Sequence, residues 1–354
     1  AHDDTGRSLM QGSLLDGTAP SPPHSSAGDA PDSSDLVREY IAALLASRTF
    51  GRQVRHHRVI PQREAQTAPQ HRPWTRAVQD ILTRQGIADL YSHQARATDI
   101  IRAGRDVVVA TPTASGKTFI YNLPVLEQFL RDPDARAIYL FPLKALAQDQ
   151  LATFNALTAH WPRDARPAAA IYDGDTTDHF RRKIRNAPPP VLLTNPEMLH
   201  LALLPHHEQW ASLFASLTHV VVDEVHTYRG VLGAHMAQVF RRLRRVCERY
   251  GAQPSFVFCS ATVGNPGELA HNLTGLTPEV VTESGAPQGK RHFVFLDPAT
   301  AAIQLLRSAL KRGLRTIVYC QSRRMTELVS LWAAEKSGPY RDRNRGGIQI
   351  GTTG

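Results

Sequence analysis

The sequence predicts an α/β fold: a doubly wound parallel sheet with flanking helices. Six short β-rich runs carry that expectation, "DVVVAT" (106–111), "AIYLFP" (137–142), "AAIYDG" (169–174), "VLLTN" (191–195), "HVVVDE" (219–224) and "FVFCSAT" (256–262). Each is followed by a segment of helical period or a polar turn, the alternation of a parallel sheet with crossover connections. The chemically distinctive residues fall at the carboxyl ends of these runs, where open sheets of this class bind ligands. With 354 residues, 42% hydrophobic and 21% charged, the chain has room for two domains and a sizeable core.

Taken in order, residues 1–34 are rich in Ser, Pro, Asp and Gly and poor in large apolar groups, so they are expected to form a disordered tail. Residues 35–85 read as a helical and linker extension. Its first helix runs through "LVREYIAALLASR", where Leu36, Tyr40, Ala43 and Leu44 recur at helical spacing behind Ser34 or Asp35 as cap. The basic, Gln- and His-rich stretch from Phe50 to Arg72 reads as a connector, either solvated or resting on a phosphate backbone. "PWTRAVQDILTRQG" forms the next helix and stops at Gly86, a helix-terminating glycine. Residues 86–285 hold the six strands, and "PPP" at Pro188–Pro190 delivers the chain rigidly into the fourth. A second domain starts near Arg291 and extends over 291–354.

Two stretches carry chemistry. "VVVATPTASGKT" places an apolar strand before a small-residue loop that ends in Gly116, Lys117 and Thr118. A triphosphate needs converging backbone N–H groups, a cation for its β and γ groups, and a hydroxyl for the bridging magnesium. Thr113, Ala114, Ser115 and Gly116 supply the loop, Lys117 the cation and Thr118 the hydroxyl, at a helix N-terminus that adds partial positive charge. The pattern G-x-x-x-x-G-K-S/T is broken at its first position by Thr111, which leaves a lysine-bearing tight turn as the other reading. In "LTHVVVDEVHTY", Asp223 and Glu224 follow three valines; two adjacent acids at the end of an apolar strand point to a bound cation. Asp223 would then hold magnesium and Glu224 would orient and deprotonate the attacking water.

"DEVH" at Asp223–His226 together with "TASGKT" resembles the superfamily 2 helicases of the DEAD/DEAH-box kind. Further blocks agree in order: "LYSHQARA" (Leu90–Ala97), "FPLKALAQDQ" (Phe141–Gln150), "TNPEML" (Thr194–Leu199), "SAT" (Ser260–Thr262) and "TIVYCQSRRMTEL" (Thr316–Leu328). "YDGDT" (Tyr172–Thr176) and "YRGVLGAH" (Tyr228–His235) are similar to the MrfA-like, DEVH-bearing branch of DNA-repair helicases. The resemblance implies a RecA-like first motor domain over 86–285 and the start of a second RecA-like domain. It implies ATP and Mg2+ as cofactors, a nucleic-acid partner with DNA favoured over RNA, and 3′ to 5′ movement. Carried over residue by residue, it gives Gln94 to adenine and the coupling of hydrolysis to movement to His226, Ser260 and Thr262. It gives strand contact to Lys144, Gln148, Asp149, Thr194, Asn195 and Pro196. Read without it, Gln94 is equally a helix cap, "PLKAL" an amphipathic helix start, and Asn195 an N-cap before Pro196 at N1.

Composition adds limits. A formal charge of +9 and a pI near 9.7 favour a polyanionic partner. Cys247, Cys259 and Cys320 give neither a disulfide framework nor a zinc pattern, so a reducing, cytoplasmic setting is expected, and no apolar run is long enough to span a membrane. Five arginines within Arg241–Arg249 read as the solvated face of a helix whose apolar stripe is Leu232, Met236, Val239, Leu243 and Val246. His206 and His207 point in different directions on a helix and are not taken as metal ligands. No second-domain arginine motif of the form Q-x-x-G-R-x-x-R follows Leu328. The chain therefore reads as C-terminally truncated, expected to bind ATP and Mg2+ while unwinding weakly or not at all. A nucleotide-binding platform without motor activity and an RNA-acting enzyme are the competing readings.

Overall fold

β-branched runs flanked by helix-forming segments leave one arrangement that buries both sheet faces, a parallel sheet covered by its own crossovers. The computed structural model describes residues 33–48, 50–296, 301–320, 322, 324–325 and 327–329. Nine strands lie within that range: β1 (Val54–Ile60), β2 (Val107–Ala110), β3 (Arg136–Leu140), β4 (Ala169–Tyr172), β5 (Val191–Thr194), β6 (Leu217–Val222), β7 (Ser255–Ser260), β8 (Glu279–Val281) and β9 (Arg291–Leu296). The chain divides into two compact units, residues 61–289 and a smaller one containing the described parts of 1–60 and 290–354.

In the larger unit seven strands form one sheet in the order β4-β5-β3-β6-β7-β2-β8, every pairing parallel. All six strands expected from the sequence are present. The seventh, β8, is only three residues long and lies beyond β2 at the sheet edge, too short to carry a period. One face packs Val107, Val109, Tyr139, Val221, Val257 and Cys259 beneath the helices Arg76–Arg84, Ser92–Arg102 and Lys117–Arg131. The other packs Val108, Ile138, Leu140, Val220, Val222 and Phe258 against the helix Gly230–Arg249 and a cluster around Trp210. Gly86 follows the helix Arg76–Arg84 with φ +69°, the left-handed conformation that a terminating glycine supplies at little cost.

The stripe expected on Gly230–Arg249 is corrected at its first member. Leu232 is exposed. Met236, Val239 and Leu243 are buried as expected and Val246 is half-buried, while Phe240 and Cys247 add to the buried face. Arg244 donates to the Thr274 carbonyl at 2.8 Å, whereas Arg241, Arg245 and Arg249 are exposed.

In the smaller unit β1 pairs antiparallel with β9. The stretch read as a connector thus contains a strand, since Val54, Val59 and Ile60 offer β-branched side chains to a partner remote in sequence. Tyr40, on the helix Ser33–Ala46, donates its hydroxyl to the Leu305 carbonyl at 3.0 Å. "TIVYC" at 316–320 forms no strand, and among the described residues no neighbouring strand pairs with it. The expected tail up to residue 32 and the glycine-rich stretch 337–354 lie outside the described residues. Among the described residues no helix is long and apolar enough to cross a membrane.

Candidate functional site

The site is built where β2, β7 and β6 end side by side. Register pairs Ala110 with Ser260 and Val222 with Phe258, so the residues leaving β2 and β6 flank the end of β7 at two strand spacings, roughly 9.5 Å. Into that gap run the loop from Thr111, the acidic pair after Val222 and the turn after Ser260.

The loop needs no glycine where Thr111 stands. Thr111 is fully buried, and its hydroxyl meets the Ser115 hydroxyl at 2.7 Å; the left-handed turns fall instead at Ala114 (φ +62°) and Gly116 (φ +77°). The helix Lys117–Arg131 begins directly after Gly116, and the Lys117 ammonium arches back over the loop to the carbonyls of Thr111 (3.0 Å) and Pro112 (3.1 Å). Thr113 and Ala114 are exposed at the loop crest. Thr118 hydrogen-bonds Tyr121, whose hydroxyl donates to Gln150 Oε1 at 2.8 Å.

Two buried side chains of the helix Ser92–Arg102 latch this loop. Gln94 accepts from the Tyr91 N–H (3.0 Å) and donates to the Gly116 carbonyl (2.9 Å), so its amide both caps its own helix and grips the loop. His93 accepts at Nδ1 from the Gly285 N–H (3.2 Å), which places its proton on Nε2, facing the Ser115 carbonyl at 2.9 Å. Burial holds the His93 imidazole below its ordinary value and favours this neutral tautomer, with the Lys117 charge acting the same way. Sequence reasoning passed over His93; its only signal was adjacency to Gln94. A Cβ at Gly116 would collide with the Gln94 amide nitrogen, and φ +77° penalises any side chain there. Gly116→Ala is therefore expected to cost about 1–3 kcal/mol and to weaken nucleotide binding together with thermal stability, read by a melting curve with and without nucleotide.

The acidic half is equally constrained. The Asp223 N–H donates to the Leu140 carbonyl at 3.0 Å, continuing the sheet by one residue, and the Glu224 N–H turns back onto Asp223 Oδ1 at 2.9 Å. Glu224 adopts φ +49°, a conformation that costs a non-glycine residue about 1 kcal/mol or more and that recurs at functional sites. Burial pushes the Asp223 carboxyl up to about 6; Glu224 adds to the rise, while the Glu224 N–H and Lys117 oppose it. The buried Cys259 thiol on β7 is raised by burial first, then by Asp223, against Lys117. Lys117, Asp223 and Glu224 thus share one electrostatic neighbourhood around the end of β7.

A desolvated carboxylate whose charge is not fully compensated fits a divalent cation, with Thr118 and Asp223 as the protein oxygens. Because its folded value lies above the ordinary one, Asp223 binds a proton more readily in the folded chain than in the unfolded chain. The Asp223 contribution to cation-free stability is therefore expected to rise as pH falls from about 6 toward 4, against the opposite contribution of the buried His219 imidazole, which burial holds down to about 4. Parallel pH titrations of melting for the parent and for Asp223→Asn isolate that contribution.

His226 joins the two halves. Its Nδ1 lies 3.1 Å from Glu224 Oε2, 3.4 Å from Ser260 Oγ and 3.4 Å from the Ala261 nitrogen. With a proton on Nδ1 it donates to Glu224; without one it accepts from Ala261 or Ser260. One proton therefore decides which loop it holds. Thr262 is exposed on the turn that follows.

The expected strand-contacting residues form a separate group at the ends of β3, β4 and β5. Lys144 is exposed and paired with Asp175 at 2.7 Å, within a turn in which Asp173 Oδ1 accepts from the N–H groups of Asp175 (3.0 Å) and Thr176 (3.1 Å). Arg181 closes that turn by donating to the carbonyls of Thr176 (2.8 Å) and Asp173 (3.0 Å). Gln148 and Asp149 are exposed. Thr194 is buried and donates to the Tyr172 carbonyl at 2.6 Å, so its hydroxyl fastens β5 to β4 and does not face solvent. Asn195 caps the turn at Pro196, accepting from the Met198 N–H at 2.9 Å. His207 engages the Tyr250 hydroxyl at 2.9 Å, and among the described residues no cluster of His, Cys, Asp and Glu could hold a metal by itself.

A parallel sheet whose carboxyl edge gathers a lysine loop, an acidic pair and a histidine bridge defines the P-loop class of α/β proteins. The family model for the DEAD/DEAH box helicase matches residues 91–269, and the chain belongs to that family. It is 44% identical over 289 residues to the uncharacterized ATP-dependent helicase YprA of Bacillus subtilis, covering 78% of this chain and 38% of YprA. To the ATP-dependent helicase HRQ1 of Saccharomyces cerevisiae it is 33% identical over 312 residues, covering 83% of this chain and 28% of HRQ1. The crystal structure of the helicase MrfA bound to DNA superposes with a TM-score of 0.79 at 41% identity, covering 84% of this chain and 43% of MrfA. A second MrfA structure, with DNA and AMPPNP, gives 0.78. The chain thus spans less than half the length of these relatives.

Proposed function

We propose that this chain carries the ATP-binding motor domain of a nucleic-acid helicase or translocase of the MrfA-like branch, acting on DNA in repair with 3′ to 5′ movement. The observation that carries the reading is the placement of Lys117 after β2 and of Asp223 and Glu224 after β6, on either side of the end of β7, with His226 bridging to the Ser260 turn. In this reading residues 86–285 form the motor domain, 35–85 an extension, and 291–354 the start of a second RecA-like domain. Support comes from the DNA and AMPPNP named for the MrfA structures and from the helicase names of the relatives.

Lys117 exchanges the Thr111 and Pro112 carbonyls for phosphoryl oxygens, a change from dipoles to full charges that favours the nucleotide-bound state. Thr118 and Asp223 hold the cation, which when bound neutralises charge on the transferring phosphoryl group. Glu224 orients the attacking water and takes its proton. His226 reports the protonation of Glu224 to Ser260 and Ala261, while Thr262, exposed on the same turn, relays it toward the strand. Gln94 grips the loop from behind and fixes adenine through the same segment. Lys144, Gln148, Asp149, Asn195 and Pro196 contact the phosphate backbone, with Thr194 positioning the last two. Such contacts carry no base readout, as movement over any sequence requires.

Strand-stimulated ATP hydrolysis tests the reading. Turnover that rises on adding single-stranded DNA supports a motor; saturable ATP binding with turnover indifferent to DNA and RNA marks a platform. RNA stimulating more strongly than DNA selects the RNA-acting alternative.

A further inference from the structure

The β1–β9 ribbon of the smaller unit plays no part in the nucleotide site, and its composition is unusual. Residues 54–60 and 291–296 include three arginines and three histidines, with no aspartate or glutamate. Register places His56 opposite Phe295, Arg58 opposite Phe293 and Ile60 opposite Arg291, so these six side chains share one face. On that face Phe293 is 44% exposed and Phe295 is 59% exposed, and His56 leans on Phe295 with ring centroids 5.9 Å apart. On the opposite face His57, His292 and Val294 are half-buried and Val59 is 42% exposed, and the two imidazoles stack at 5.3 Å with His57 Nε2 3.0 Å from His292 Nδ1. That pair pins the register from behind and leaves the aromatic and basic face outward.

We propose that this outer face is a binding site for single-stranded nucleic acid, distinct from the residues at the ends of β3, β4 and β5. Two exposed phenylalanines on a two-stranded ribbon are an association hazard unless something covers them. The exposed Arg58, opposite Phe293, sets a cation beside the rings and fits a polyanion. Phe293 and Phe295 stand two residues apart, roughly 6.8 Å along the strand, which is twice the 3.4 Å rise of a stacked nucleotide strand. One base can therefore enter between the two rings, with Arg58 placed for the phosphates on either side. Ring stacking accepts any base, so the site grips without reading sequence. It does not rest on the nucleotide site and can fail or hold independently of it.

The test uses the full 354-residue chain and a fluorescent oligo-dT strand, with binding followed by anisotropy at several salt concentrations and no nucleotide. Replacing both phenylalanines by leucine is expected to weaken binding about 10- to 100-fold, and replacing both by tryptophan to retain it. Arg58→Glu is expected to flatten the dependence of log affinity on log salt by about one unit or more. Binding of a fluorescent ATP analogue should be unchanged in all three. Leucine variants that bind within twofold of the parent overturn the proposal. So does a lowered melting temperature in those variants, since the rings would then be packed within the chain, and so does a duplex that competes as well as the single strand. A parent chain that binds no oligonucleotide at all overturns the proposed nucleic-acid motor as well, whereas equal binding by parent and leucine variants overturns the ribbon alone.

Discussion

Glu224→Gln is expected to lower strand-stimulated ATP turnover by about 10²- to 10⁴-fold while ATP stays bound. Glutamine keeps the size of the side chain and accepts the left-handed backbone as well as glutamate does, so the turn after Asp223 should persist. In the proposed role the change removes a base: a neutral amide takes no proton from water. Its oxygen can still accept from His226, so the link from the acidic pair to the Ser260 turn survives in form but no longer carries a charge that changes during hydrolysis. Phosphate release with and without single-stranded DNA, beside equilibrium binding of an ATP analogue, separates chemistry from binding. Turnover within twofold of the parent would mean that another group prepares the water. Loss of ATP binding would mean that Glu224 supports the fold of the site and not the reaction.

The parts of this site visible in the sequence are those whose signal is local. A valine run followed by two acids, or a small-residue loop closed by Gly-Lys-Thr, states both the strand and the group at its end, and the structure has β6 and β2 there. The parts that were hidden depend on contacts between remote segments. His93 takes its meaning from Gly285 and Ser115, at separations of 192 and 22 residues, and no spacing rule connects the three. Gln94 reads in the sequence as either a helix cap or an adenine contact; its amide accepts from Tyr91 and donates to the Gly116 carbonyl 22 residues on, a grip on the loop that no spacing rule announces. Val54–Ile60 reads as a connector because Arg55, His56, His57 and Arg58 form an unbroken basic run within a Gln- and His-rich stretch, and β9 supplies the partner that makes a strand of it. Thr111 broke the expected glycine pattern without harm, because the left-handed turns sit at Ala114 and Gly116 and its own hydroxyl is used against Ser115.

Lys117→Ala is expected to abolish productive nucleotide binding, with affinity for ATP reduced roughly 10²- to 10⁴-fold. Two charge-assisted hydrogen bonds of about 1.5–3 kcal/mol each are removed, and tenfold in affinity corresponds to about 1.4 kcal/mol. The fold should tolerate the change better than the site does, because the ammonium's partners are loop carbonyls and not members of the sheet ladder. Asp223 should respond in a way that a purely structural lysine would not predict. With the opposing cation gone, its carboxyl should take up a proton at still higher pH, and the Asp223 contribution to cation-free stability, read against Asp223→Asn, should start earlier in an acid titration. Lys117→Arg is not expected to rescue either property: the planar guanidinium is broader than an ammonium, and a compact point charge is what fits beneath a loop closed at Gly116 and Gln94. Retained ATP affinity in Lys117→Ala, measured by calorimetry on the whole chain, would separate the lysine loop from the acidic pair and dissolve the shared site on which the motor reading depends.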